Sequence, residues 1–138
     1  MSEAVEKALH AADDETALLQ VWHAFGARLT RQQALERGAD PEIAERALAE
    51  LPDVSALDAL EANRQLIELL TGRRWYVIEA AREAGASWSQ IGAVLGMSKQ
   101  GAQDWYRRKI ANQERYAGDI HDADRARAAV GNDRETAP

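Results

Sequence analysis

An all-α protein is what two features of this 138-residue chain predict. Apolar residues recur at spacings of three and four almost throughout, whereas β-branched and aromatic residues never alternate over five or more positions, so helices rather than strands must bury them. The punctuation agrees with this. Asp40 followed by Pro41 is an N-cap with proline at the first helical position, and Gly38 just before it suits the end of the preceding helix.

The first helix is expected to start after Ser2, with Glu3 in its first turn, and to fray near Asp13 and Asp14. A second begins there and runs to about Arg37. Its apolar stripe is Leu18, Trp22, Phe25 and Leu29, at i, i+4, i+7 and i+11, and it is the expected dimer interface. The helix opened by Asp40 and Pro41 extends through Glu50, where Pro52 closes it. Ser55 with Asp58 three residues on then starts a long pattern, ALDALEANRQLIELLTGRRWYVIEAAREAG. Gly72 costs about 1 kcal/mol inside a helix, so one long helix or two are both allowed. Within that pattern Leu66, Ile67, Leu69 and Leu70 fall on more than one face, which implies cover from several directions, a second subunit among them.

Charge is unevenly spread around the formal net of −6. Residues 1 to 63 carry 5 Lys/Arg against 13 Asp/Glu, whereas residues 98 to 115 hold Lys99, Arg107, Arg108, Lys109 and Arg115 against Asp104 and Glu114. A local cationic face on an acidic chain is what a polyanion-binding surface requires. The island belongs to SWSQIGAVLGMSKQGAQDWYRR, residues 87 to 108.

That stretch meets the needs of two helices joined by a tight turn. Gly85 ends the helix before it, and Gly96 lies where the chain must take positive φ. Gly92 lets the second helix approach, and Ile91, Leu95, Met97, Ala102 and Trp105 supply the apolar wedge. Ser98 is a good N-cap whose position also suits a phosphate. Lys99, Gln100, Gln103 and Asp104 are left for the exposed face as candidate base contacts. Ser87, Ser98, Arg107, Arg108 and Lys109 are the candidate phosphate contacts.

With these residues in view, the stretch resembles the helix-turn-helix of bacterial transcriptional regulators. It is particularly similar to the "aGxSWxxIGxxLGxSxQ" pattern of small actinobacterial and actinophage DNA-binding proteins, over about residues 73 to 110. The resemblance implies a trihelical DNA-binding domain in which Ser98 to Arg108 enter the major groove. It implies nothing specific for residues 1 to 60. Two residues depart from expectation. Gly101 is costly in a recognition helix, and Asp104 either accepts from a cytosine N4 or neutralises Arg108 at i+4.

The organisation expected is an acidic helical arm over residues 1–60 for dimerisation or a partner, a helix-turn-helix domain with its leading helix over 61–115, and a frayed helix with a disordered tail over 116–138. The function expected is sequence-specific binding of double-stranded DNA by a homodimeric regulator, a repressor or autoregulator of bacterial or phage origin. Alternatives are an antitoxin-like adaptor whose acidic helices bind a protein partner, and a DNA-binding subunit of a phage packaging or recombination complex.

No catalytic residues, cofactor or metal are expected. The chain has no cysteine, His10, His23 and His121 lie far apart, and neither a glycine-rich phosphate loop nor a Ser/His/Asp constellation is visible. With no leader-like start and no long apolar run, a cytoplasmic, nucleoid-associated protein without membrane contact is expected.

Overall fold

The computed structural model describes residues 2–11, 13–116 and 123–131, and every regular element among them is a helix. In chain order these are α1 (Glu3–His10), α2 (Glu15–Glu36), α3 (Pro41–Ala49), α4 (Ala56–Glu83), α5 (Trp88–Leu95), α6 (Lys99–Tyr116) and α7 (Ala123–Val130). None is long and apolar enough to cross a membrane. The chain forms two compact units, Met1–Thr71 and Gly72–Pro138, whose boundary falls inside α4. The division at 71/72, rather than at residue 60, arises because α4 is one unbroken helix through Gly72 that gives its first part to one core and its second part to another.

The first unit is built by well-capped helices. Ser2 Oγ accepts from Val5 N at 3.2 Å, Asp14 Oδ1 from Ala17 N at 3.0 Å, and Asp40 Oδ1 from Glu42 N at 3.0 Å. Ser55 and Asp58 form the reciprocal box: Asp58 Oδ2 accepts from Ser55 N and Ser55 Oγ from Asp58 N, which keeps the buried Asp58 carboxylate satisfied. Each such cap is worth about 1 kcal/mol. Between the helices lie Val5, Leu18, Val21, Ala24, Val54, Ala59, Ala62 and Leu66. Gln65 Nε2 donates to Leu9 O at 3.0 Å and ties α4 to α1.

This core corrects one expectation. Leu18 is fully buried inside its own unit and Phe25 packs on the same core, so neither offers the free face that a dimer interface on α2 needs. Trp22 and Leu29, from the same stripe, are exposed. The 22-residue helix turns one side inward and leaves the other bare, because an apolar stripe records only the phase of burial and not what does the burying.

The second unit packs the latter part of α4 with α5, α6 and α7 around Ile78, Trp88, Ile91, Ala102, Tyr106, Ile110, Ala126 and Ala129. Its α5–α6 corner depends on two glycines. Gly96, at φ +69°, ends α5 and lets Met97 N donate back to Gly92 O at 2.8 Å. Gly92 lies so close to the start of α6 that a Cβ there would stand 2.8 Å from Met97 O and 2.9 Å from Ser98 O. Those are rigid backbone atoms, so the corner tolerates only glycine.

α7 corrects the expectation of a disordered tail for residues 123–131; residues 117–122 and 132–138 of that expectation lie outside the described residues. α7 is short but supplies backbone acceptors to the core. Trp88 Nε1 donates to Val130 O at 2.6 Å, and the Tyr106 hydroxyl donates to Ala126 O at 2.8 Å. Arg125 bridges to the buried Glu79 at 3.2 Å and to Glu83 at 2.5 Å, and the Arg125 guanidinium holds the Glu83 carboxyl below the usual glutamate range. Burial, reinforced by Glu79 and Glu83, pushes the Tyr106 hydroxyl well above the ordinary tyrosine range.

Gly92→Ala is expected to lower stability by about 1 to 3 kcal/mol through overpacking, read as a lower denaturant midpoint; an unchanged midpoint would contradict the close approach. Because the folded Tyr106 keeps its proton longer than the unfolded one, its contribution is complete below about pH 10 and declines as pH rises further. Thermal melts from pH 8 to 11 should therefore fall less steeply for Tyr106→Phe than for the parent chain.

Candidate nucleic-acid interface

The candidate site is the outward face of α6, and its phase is set by the residues α6 buries. Ala102, Tyr106 and Ile110 recur at i, i+4 and i+8 on the inner side. Opposite them stand Gln100, Asp104, Arg107, Arg108 and Ala111, of which Gln100, Arg107, Arg108 and Ala111 are exposed and Asp104 is half-buried. Gln100 Nε2 donates to Asp104 Oδ1 at 2.8 Å, so the two side chains form one presented unit with a remaining amide oxygen, amide hydrogen and carboxylate oxygen. This places the partner of Asp104 at Gln100, one turn before it.

Ser98 caps α6. Its hydroxyl oxygen accepts from Gly101 N at 2.9 Å, and a Cβ on residue 101 would lie 3.0 Å from that same oxygen. The glycine that looked costly in the sequence thus leaves room for the cap. Ser87 does the same for α5, forming a full capping box with Gln90 in which Gln90 N donates to Ser87 Oγ at 3.1 Å and Ser87 N to Gln90 Oε1 at 2.8 Å. Both serines expected to meet phosphates are therefore first of all helix caps.

Two expected base contacts do not stand on this face. Gln103 is completely buried, and neither of its amide atoms has a hydrogen-bond partner among the described residues. A base cannot reach it. The physical reason is phase: residues 103 and 110 are one heptad apart and differ by only about 20° around the helix, so Gln103 shares the inner side with Ile110. Lys99, at i−4 from Gln103, is half-buried on that side too.

Lys109 is likewise half-buried, and its Nζ lies 3.9 Å from where a Cβ on Gly72 of α4 would be, which directs it toward α4 rather than outward. The expected wedge is otherwise assembled. Ile91, Gly92 and Ala102 are buried, Leu95, Met97 and Trp105 pack against them, and Gly96 makes the turn.

Several contributors escaped the sequence reading. Tyr106 is one of them: fully buried, it contacts Trp88, which its aromatic bulk already marked as core, with ring centroids 5.5 Å apart. Arg74 of α4 stacks over Trp105 at 5.1 Å, and Arg82 over Trp88 at 5.2 Å. The spacing of Ala126, Ala129 and Val130, followed by Gly131 at φ +65°, is the signal that marks α7 as a packed helix with a glycine stop.

No protein-family model, curated protein or solved structure matches the chain. Among the described residues no group of three or more His, Asp or Glu side chains is placed to hold a metal ion.

Leaving two buried amide atoms unsatisfied costs on the order of 1 to 3 kcal/mol, so Gln103→Leu, close in volume, should raise the denaturant midpoint. A lowered midpoint would show that the amide is satisfied after all.

Proposed function

We propose that this chain is a helix-turn-helix DNA-binding protein, acting as a dimeric, sequence-specific transcriptional regulator, a repressor or autoregulator. The observation that carries the reading is the exposed face of α6. Behind a serine-capped, glycine-turned corner, it presents the Gln100–Asp104 pair one turn ahead of Arg107 and Arg108. An α-helix with its side chains is about 10 to 12 Å across, which matches a major groove about 12 Å wide.

The parts divide the work. Gln100, steadied by Asp104, reads base edges: a glutamine amide can both give to and accept from adenine, and a carboxylate can accept from a cytosine N4. Arg107 and Arg108, on the outward side of the following turn, hold phosphates and set register. The acidic balance of residues 1 to 63 opposes nonspecific attraction to DNA at long range, so binding relies on this local face. Two copies on a two-fold operator supply the affinity that one small module lacks, with recognition helices about 34 Å apart on successive major grooves. Repression follows by occluding promoter DNA.

Selection of bound sequences from a random duplex library at about 150 mM salt is expected to enrich an inverted repeat with half-sites about 10 base pairs apart; no enrichment by a folded protein would overturn the reading in favour of a protein-binding adaptor. On the selected site, Gln100→Ala should cost about 1 to 3 kcal/mol and relax one base position. Arg108→Ala should weaken all sequences alike and reduce the salt dependence by about one counterion.

A further inference from the structure

Within the second unit, the latter part of α4 and α5 do not close on one another completely. Val77, Ile78 and Ala81 of α4, with Ile91, Val94 and Leu95 of α5, line an open groove of about 210 Å³. Its wall is hydrocarbon, although two of its lining residues, Arg74 and Gln90, are polar. Each contributes its carbon stem there. Gln90 Oε1 is turned to Ser87 N at 2.8 Å in the capping box, and the Arg74 guanidinium rests over the Trp105 ring at 5.1 Å. The volume lies below the roughly 300 to 1,000 Å³ of drug-sized sites, so an occupant is small. On the rim, Val77 and Val94 are 56 % and 86 % exposed, apolar surface that is costly to leave in water.

Arg74 sets the chemistry of the occupant. The residue is half-buried, and among the described residues its guanidinium has neither an ion pair nor a hydrogen bond. An aromatic ring covers one face of the planar group and leaves its N–H edge able to donate. From Arg74 to Ala81 the helix rises about 10 Å, so the cation stands at one end of the groove and Ala81 at the other.

We infer that this groove binds a small amphipathic carboxylate, its hydrocarbon tail along Val77, Ile91 and Val94 and its carboxylate on the edge of the Arg74 guanidinium. The alternatives each lose an interaction. A wholly polar ligand would find no hydrogen-bond partner along the wall. A plain hydrocarbon would leave the arginine edge without an acceptor, and an ammonium head would meet a like charge. A carboxylate instead offers two oxygens to a fork of N–H donors.

This site is separate from the outward face of α6 and does not depend on the regulator reading, so its test needs no DNA. Calorimetric titration of the full chain with octanoate is expected to give a Kd below about 1 mM, and octylammonium should bind at least about tenfold more weakly. Arg74→Met keeps the stem and removes the charge. It should weaken octanoate about tenfold, the size of one charged hydrogen-bonded contact, and leave octanol binding unchanged. Val77→Glu, at an exposed position, should retain the helical circular dichroism and abolish octanoate binding, because the new carboxylate lies three residues beyond Arg74 on the helix and engages it.

Amide chemical shifts of the labelled chain locate the site, and on adding octanoate those of Val77, Ala81, Ile91 and Val94 should move most. Octylammonium binding as tightly as octanoate, an Arg74→Met variant that binds octanoate undiminished, or shifts centred on the exposed Leu57 and Leu60 of the first unit would each overturn the inference. So would the absence of octanoate binding at about 1 mM. Octanoate binding by a chain that selects no DNA sequence would overturn the regulator reading and leave this one standing.

Discussion

The contact of Gly92 with the backbone that starts α6 is the constraint on which the second unit depends. With no side chain at 92, the carbonyls of Met97 and Ser98 come to the surface of α5, and the direction of α6 is fixed from its first residue. Everything that gives the outward face its character follows from that direction. Ala102, Tyr106 and Ile110 reach the core, Ser98 is free to cap, and Gln100, Asp104, Arg107 and Arg108 turn away. The corner is steric at one residue and conformational at another, since Gly96 must also take positive φ, and neither demand can be relaxed by moving a flexible side chain.

Electrostatics is added to this frame rather than creating it. Arginines fasten helices through different chemistry at different depths: Arg125 by ion pairs to Glu79 and Glu83, Arg82 by hydrogen bonds to Ala86 O and Ala129 O together with its stack on Trp88, and Arg74 by its stack on Trp105. Planar guanidinium groups suit such mixed duty, covering an aromatic face while donating at the edge. The same planar, multiply donating group suits the exposed Arg107 and Arg108 to phosphate oxygens.

Much of this was legible in the sequence because boundaries are written by residues with one physical use. Asp40 and Ser98 as caps, and Gly38 and Gly96 as stops, name the ends of helices, and the period of the apolar residues names the class. What was not legible was phase where polarity and geometry disagree. The chemistry of Gln103 and Lys99 points outward, whereas their angular relation to Ile110 and Tyr106 sets them inward. The α2 stripe was legible as a buried face but not as buried by its own unit, since Leu18 would look the same under a partner. Residues 123–130 were illegible for another reason: their small side chains give little hydrophobic signal, and their contribution is made largely by backbone carbonyls, which every sequence possesses.

That last feature bears on the order in which the second unit can assemble. The indole N–H of Trp88 and the hydroxyl of Tyr106 find their acceptors 42 and 20 residues later in the chain, at Val130 and Ala126. During synthesis, α5 and α6 can therefore emerge and collapse while two of their largest side chains still lack the bonds that burial demands. Until α7 follows, those groups must stay in contact with water, which keeps the half-built unit loose and slows its commitment. Completion of this core therefore waits on a helix that has no part in the outward face itself.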